Sequence, residues 1–552
     1  MMDDNRAPVP LVQCFRIKAA EPSLEDNTAD IDRLKHAVET VLRKEGLTDR
    51  HVLVPYARTT DVAAGFRSAG FSGYVLVNIL PAVIEITDFS REMPPVIPAV
   101  ALDLGTTHLE ATLLNLRTGK RIAGGHRENR QIEFGSDILT RIHHAVPSRK
   151  GFAKTCELTG LKQLQQSVIA SVNDLIADLA AQGGIPENDI RAISVAGNTT
   201  MVHLFMGLNP YHICREPYTP LVNEPDPCHA AELGINIFSM APVWVLPSIG
   251  SYFGGDLVAG ILASGIDETD ETCMLIDVGT NAEVVLGNKD WLIACAGAAG
   301  PALEGGVAKM GMRAAPGAVE SIVIDTGEWT LGYKTIEDCP PVGICGSGLI
   351  DLVAQLYLSR IIDFRGKFRD RIVAKSSRHR HFLQKRLCRD AGGLFFVIAF
   401  PEETGNGHAV ILSQTDMDAL MRSKAAMYAI LTTLVAQVGV GFEELHKIYV
   451  AGAFGKNIDP HHAVILGMLP DLPLATYESI GNSSLMGAEL VLQSDNHRRR
   501  CRKIRYIVTY LELNVNQEFM IRFSGARFIP HTEPSLFPSV PLFQEEIDDI
   551  SG

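Results

Sequence analysis

Apolar and polar positions follow a repeating grammar of short strands and longer helices. The run VALDLGTTHLEATLLNL, within Ala99–Ala123, predicts strand, turn, strand, strand. Two apolar stretches flank Gly105-Thr106-Thr107, and Arg117-Thr118-Gly119-Lys120 supplies the second turn. Helical periodicity predicts helices over Asp137–Ala145 and Leu161–Ala181. A buried-type strand over Ile190–Val195 then ends in Ala196-Gly197-Asn198. The second half repeats the order. CMLIDVGTNAEVVL, Cys273 to Leu286, is again strand, Gly-Thr turn, strand, with a hairpin at Asn288-Lys289 into Trp291–Cys295. Helices over Ile350–Ile361 and Asp416–Val438 follow, and a short strand Ile448–Val450 runs into Ala451-Gly452-Ala453-Phe454-Gly455. This is an internal duplication of a β-β-β-α-β-α unit, and strands alternating with helices predict an α/β class.

Ahead of the duplication, residues up to about 95 predict a small α/β unit of their own. An amphipathic helix within Leu24–Lys44 places Ile31, Leu34, Val38, Val41 and Leu42 on one side, and strands are expected at His51–Val54 and Gly73–Ile79. The Pro-rich joint Met93–Pro98 can propagate neither helix nor sheet, which makes it a boundary. The expected divisions are a linker remnant over 1–22, a small N-terminal α/β domain over 23–95, a subdomain holding the first copy of the duplicated unit over 98–265, and a second subdomain over 270–552 with a C-terminal extension.

A length of 552 residues exceeds one compact core, in keeping with several domains. The net charge of −14 disfavours a nucleic-acid partner, which needs a basic surface. Two local exceptions, Arg378–Arg389 and His497–Arg505, read as solvated faces before they read as docking sites for an acidic partner. Apolar stretches are interrupted before the roughly 20 residues of a bilayer span. The N-terminal MMDDNRAPVP lacks the order of a signal peptide, so a cytoplasmic location without membrane contact is expected. None of the ten cysteines forms a C-x-x-C pair, and even Cys339 and Cys345 lack metal or cluster spacing. They read as reduced, mostly buried thiols, and no iron–sulfur motif is found.

Three glycine-rich segments carry chemistry. In Leu102-Asp103-Leu104-Gly105-Thr106-Thr107 a strand delivers a carboxylate, and glycine then lets backbone N–H groups face a phosphate, with threonine hydroxyls as further donors. A carboxylate beside a polyphosphate repels the anion directly, so its sensible role is Mg²⁺, through water. Alone, the motif reads equally as a hairpin with an acidic turn. Ile276-Asp277-Val278-Gly279-Thr280-Asn281 is the same device at the equivalent place in the second half. Two such turns could grip a polyphosphate and its metal from both sides. Val450-Ala451-Gly452-Ala453-Phe454-Gly455 ends a buried strand in small residues, which suits the close approach of adenosine, or simply a tight turn.

That order resembles the phosphate-one, phosphate-two and adenosine segments of the acetate/sugar kinase, Hsp-type chaperone and actin superfamily. Gln131–Asp137, Val195–Met201, Gly254-Gly255-Asp256, Ala299–Gly305 and Gly343–Gly348 look like one branch, the ATP-dependent reductive activators of corrinoid proteins and corrinoid-dependent methyltransferases. The likeness runs from about Pro98 to Pro538, and Pro22–Asn27 looks like the linker before that family's small domain. The resemblance implies duplicated actin/sugar-kinase-like (ribonuclease H-like) ATPase domains around an interdomain nucleotide cleft. It implies Asp103 and Asp277 on Mg²⁺ and water, with phosphates on Gly105, Thr106, Thr107, Gly279, Thr280 and Asn281. Adenosine would lie on Gly452, Ala453, Phe454 and Gly455. Asp256 would orient water or metal near the γ-phosphate, a simple helix N-cap being the equal alternative; Glu304, in the Gly-rich turn GPALEGG, is a further candidate to line the cleft. Gly346-Ser347 would hold an anion at a helix start, or form a packed turn. His203 reads as a core histidine before a corrinoid ligand, and the adjacent pairs His143-His144 and His461-His462 lack the spacing of a helical metal site.

The function so implied is repair: ATP hydrolysis drives reduction of an inactive Co(II) corrinoid to Co(I), by biasing a conformational equilibrium. Family members usually carry a ferredoxin-like domain, whose cysteines are not found here, so the electron is expected from a separate ferredoxin-like donor. A homodimer is compatible with this reading. Three rivals remain: a small-molecule kinase, a nucleotide-gated binding module, and an activator of radical acyl-CoA dehydratases.

Overall fold

The computed structural model describes residues 8–543 except 48, 147–157, 280–281, 298–308, 313 and 514–516. The chain forms two compact units, one comprising residues 1–263 and 483–506, the other 264–482 and 507–552.

The first unit begins with β1 (Val12–Lys18), α1 (Asp30–Lys44), β2 (His51–Leu53), α2 (Thr59–Ser68), β3 (Ser72–Ile79) and β4 (Val83–Ser90). The strands form one sheet in the order β1-β3-β4-β2. Leu34, Val38 and Leu42 of α1 pack with Phe66 of α2 on Val75, Val77, Ile84 and Ile86. The expected linker over 1–22 therefore holds a strand. Phe15 and Ile17, alternate residues of β1, enter this core, and the whole of β1 pairs with Ser72–Asn78 of β3.

Next come β5 (Pro98–Leu104), β6 (His108–Asn115), β7 (Lys120–Glu128), α3 (Ile138–Ala145), α4 (Thr159–Gly183), β8 (Ile193–Gly197), α5 (Thr199–Met206), β9 (Cys228–His229), α6 (Ala230–Leu233), β10 (Pro242–Val245) and α7 (Gly255–Ser264). Their sheet runs β7-β6-β5-β8-β10-β9. It is antiparallel from β7 to β5 and parallel from β5 through β8 to β10. β5 and β8 are apolar along most of their length because α4 and its neighbours cover the sheet, with Leu164, Val168, Val172 and Leu175 on the core side.

The second unit starts with β11 (Cys273–Val278), β12 (Ala282–Gly287), β13 (Leu292–Gly297), β14 (Ala318–Asp325), β15 (Thr330–Thr335), β16 (Gly343–Ile344) and α8 (Gly346–Leu358). It continues with α9 (Ser377–Arg386), β17 (Leu387–Asp390), β18 (Gly393–Ala399), β19 (Val410–Ser413), α10 (Gln414–Val438), β20 (Lys447–Ala451), α11 (Gly452–Asn457), α12 (Pro460–Ile465) and β21 (Tyr477–Gly481). The chain then contributes α13 (Ser483–Gln493) and α14 (Asp495–Ile507) to the first unit and returns with β22 (Val508–Tyr510) and α15 (Gln517–Gly525). The main sheet runs β21-β20-β11-β12-β13-β22, flanked by the small sheets β15-β14-β16 and β17-β18-β19.

The duplication is plain in the pairing. β13-β12-β11 is antiparallel and β11 continues in parallel to β20 and β21, the same path that β7-β6-β5-β8-β10 takes. The assignment of all of 270–552 to one subdomain does not match this chain path. α13 packs on the first unit's sheet, where Ser194 Oγ donates to Ala488 O at 2.7 Å and Gly487 lies against Ala259. Among the described residues no helix is long and apolar enough to cross a membrane, and no group of histidine, cysteine and carboxylate residues has metal-site geometry. The nine described cysteines are free; Cys273, Cys295, Cys345 and Cys501 are buried and the others partly exposed.

Candidate nucleotide-binding turns

In the first unit, the candidate residues gather where β5, β8 and β10 end. Asp103 is the penultimate residue of β5, opposite Glu110 of β6 and Ala196 of β8. Its Oδ1 accepts from Ser484 Oγ at 2.7 Å, at the start of α13. The following turn is braced by two asparagines. Asn129, fully buried, donates from Nδ2 to Gly105 O at 3.0 Å and from its backbone N to Thr107 O at 2.8 Å. Asn198 Nδ2 donates to Thr106 Oγ1 at 3.1 Å, while its Oδ1 caps α5 by accepting from Met201 N at 2.9 Å.

Asp256 belongs to the same neighbourhood. It lies in the first turn of α7, with Oδ1 2.9 Å from Leu257 N. The preceding Gly254 touches the β8 turn so closely that a Cβ there would stand 2.3 Å from Asn198 Cα and 2.5 Å from Gly197 O. Glycine at 254 thus lets the Asp256 turn close onto the Asn198 turn. Asp103, Gly105, Thr106, Thr107 and Asp256 are brought together within one unit, each half-buried.

In the second unit, Asp277 occupies the corresponding place in β11, opposite Glu283 of β12 and Ala451 of β20. Gly452 follows Ala451 with a left-handed φ of +74°, and a Cβ on it would lie 3.0 Å from Asp277 Oδ1. The third glycine-rich segment therefore turns directly beside the second carboxylate. Gly452, Ala453, Phe454 and Gly455 are residues of α11, which starts at this turn. Gly279 is half-buried just beyond β11, whereas Thr280, Asn281 and Glu304 lie outside the described residues.

Gly346 and Ser347 open α8 on another sheet. Ser347 is buried, its Oγ donates to Glu320 O at 2.8 Å, and Cys345 Sγ lies 3.3 Å from both Val319 O and that hydroxyl. These contacts are those of a packed turn. His203 is a satisfied core histidine: Nδ1 lies 2.7 Å from Thr199 O, Nε2 accepts from Val222 N at 3.4 Å, and burial lowers its pKa. His462 is bonded to Asp351 at 2.7 Å and to Gln355 at 3.1 Å.

Sequence reasoning missed Asn129 and Ser484. Asn198 stood in the Val195–Met201 segment without an assigned role, and Asn129 sits two residues before the Gln131–Asp137 segment. Nothing local marks Ser484, whose partner is 381 residues away.

Comparison with known proteins divides the chain near residue 270 and keeps 483–506 with the second part. Residues 98–269 match the family described as the RACo middle region, and residues 271–541 match the C-terminal domain of RACo, the ASKHA domain. The "Corrinoid activation enzyme RamQ" of Eubacterium limosum is 30% identical over 518 residues, spanning 93% of this chain and 82% of its own. The chain belongs to the RACo family of corrinoid activators. Its fold is that of the ASKHA ATPases. Another member, the "[Co(II) methylated amine-specific corrinoid protein] reductase" of Methanosarcina barkeri, is 22% identical over 71% of this chain and 70% of its own. A solved structure titled "Reductive activator for corrinoid,iron-sulfur protein" superposes with a TM-score of 0.85 at 35% identity, covering 98% of this chain and 82% of that one.

Proposed function

We propose that this chain is an ATP-dependent reductive activator, which couples ATP hydrolysis to one-electron reduction of a partner corrinoid from Co(II) to Co(I). The electron comes from a separate iron–sulfur donor, and the setting is the cytoplasm. The observation that carries the reading is the duplicated turn: Asp103 and Asp277 are the penultimate residues of equivalent strands, β5 and β11, in two sheets of like topology, in a family of corrinoid activators. The fit to a metal-bound nucleotide rests on that chemistry. Each turn pairs a carboxylate, suited to water-bridged Mg²⁺, with a glycine-containing backbone suited to phosphate oxygens. Mg²⁺ neutralises phosphate charge when bound; Thr106 and Thr107, and further on Thr280 and Asn281, add donors, and Asp256 orients water. Gly452 to Gly455 leave room for adenosine. Since a nucleotide cannot change the cobalt potential at a distance, the energy of hydrolysis acts on a conformational equilibrium.

The test is ATP turnover by the purified chain with and without the Co(II) form of a corrinoid methyl carrier. The reading predicts that turnover rises with the Co(II) protein and not with the same protein held as methyl-Co(III). Turnover indifferent to every such carrier would overturn the activator assignment while leaving the ATPase fold in place.

A further inference from the structure

A second polar site lies in the first unit, away from the paired turns. A cavity of about 110 Å³ is lined by Asp49 and Arg50 before β2, Pro81 after β3, Trp244 of β10, and Asp495, Arg498, Arg499 and Arg502 of α14. One carboxylate, Asp495, is shared by three guanidinium groups: Arg50 at 2.7 Å, Arg498 at 3.3 Å and Arg499 at 2.9 Å. Arg502 pairs with Glu224, which is itself shared with Arg505. Positive charge is therefore in excess around the cavity.

Two of its walls hold unused donors. The Arg50 side chain is only 3% exposed, and its Nε and Nη1 have no acceptor among the described residues; the same holds for the buried indole Nε1 of Trp244. A buried N–H without a partner is destabilising, more so when it is charged, so lining residues that hold three of them call for an acceptor. Arg498 lies over the Trp244 ring at 5.7 Å, which fixes the indole against the basic helix.

We propose that this cavity is a binding site for a free tetrahedral oxyanion of the phosphate type. Guanidinium N–H groups suit such oxygens, and the lining residues combine two spare N–H groups of the buried Arg50, the rim guanidiniums of Arg499 and Arg502, and an indole donor. The volume is far below the roughly 300 Å³ at which pockets for larger organic ligands begin, so a nucleotide is too big. Because the walls come from the N-terminal sheet, β10 and α14, the anion ties the basic helix to the small domain within the first unit. The run His497–Arg505, which reads from sequence as a solvated face, would then be in part a ligand set.

The test is calorimetric titration of the full chain with inorganic phosphate at constant ionic strength. A saturating non-hydrolysable ATP analogue keeps the nucleotide turns occupied. One phosphate site per chain is expected, weakened about tenfold in Arg499→Gln and similarly in Trp244→Phe, which keeps the ring and removes the N–H. Arg499 is on the rim, with a side chain 58% exposed, so that variant keeps its fold; a thermal melt confirms it. Absence of binding by the wild type, or wild-type affinity in both variants, would overturn the site. Glycerol phosphate binding as tightly as phosphate would overturn its assignment to a free anion.

Discussion

The turn after β5 and the turn after β11 begin from nearly the same sequence, Asp-x-Gly-Thr, and from equivalent places in two sheets of like topology, yet their described contacts differ. Asp103 is held by Ser484 from a helix added late in the chain, and its turn is braced by Asn129 and Asn198. Asp277 instead has Gly452 at its side, where the following strand turns through a left-handed residue. In one copy polar side chains meet the turn; in the other a glycine beside the carboxylate keeps a side chain away from it. Duplication thus preserved the strand end and the carboxylate while their supports diverged. The two turns should consequently fail in different ways.

The largest effect is expected from Asp277→Asn. Loss of the carboxylate charge should lower ATP turnover by about 100-fold or more with an unchanged melting temperature, as for groups that stabilise charge in a transition state. Unaltered turnover would remove Asp277 from the chemistry. Gly452→Val comes next. Valine is strained at φ +74°, by about 1–3 kcal/mol, and its branches extend toward Asp277 Oδ1 from a Cβ only 3.0 Å away. ATP affinity should fall about tenfold or more together with some stability, and Gly452→Ala should show a reduced version of both. Full ATP affinity in the valine variant would separate the third segment from the nucleotide site.

Ser484→Ala probes the braced copy and should act more mildly. It removes one hydrogen bond to Asp103, worth about 1 kcal/mol, so the Michaelis constant for ATP should rise about fivefold without unfolding. A 100-fold loss would mean that the hydroxyl, and not the carboxylate, is the essential group of the first turn.

The smallest effect is a pH dependence present in both units. In the first, His229 lies 2.9 Å from Glu85, whose hydrogen bond, against some desolvation, raises the histidine pKa above 6.5. In the second, desolvation of His462 is outweighed by its bond to Asp351, and its pKa is again raised. A raised histidine pKa gives stability that is complete below the unfolded value near 6.5 and fades as pH rises through the folded value. Buried His203 and His531, whose pKa values are lowered, act in the opposite sense, so the first unit's share is read from the variant: His229→Gln should lower the melting temperature more at pH 6 than at pH 8. An equal effect at both pH values, or a larger one at pH 8, would contradict the pairing.

How far the sequence revealed this arrangement depended on distance along the chain. The strand–turn–strand pattern of Ala99–Ala123 became β5 to β7, and Cys273–Cys295 became β11 to β13, because alternation and turn residues are local signals. β1 was hidden: only four of its seven residues are apolar or cysteine, and the linker-like segment that follows drew the boundary too late. α13 and α14 were not anticipated beyond the basic run His497–Arg505, and nothing in Ser483–Ile507 states that it belongs with a sheet nearly 300 residues earlier. The same limit applies to the site. Asp103, Asp277 and the glycines could be found because chemistry demands those residue types beside one another. Ser484 and Asn129 could not, because a brace is defined by what it meets in space.

The central claim is tested most directly by anaerobic visible spectroscopy of a Co(II) corrinoid methyl-carrier protein mixed with this chain, a low-potential chemical reductant and Mg-ATP. The account predicts that the Co(I) band grows with ATP and is absent both with a non-hydrolysable analogue and with the Asp277→Asn variant. A Co(I) band of equal size without ATP, or none with any carrier in its presence, would contradict it.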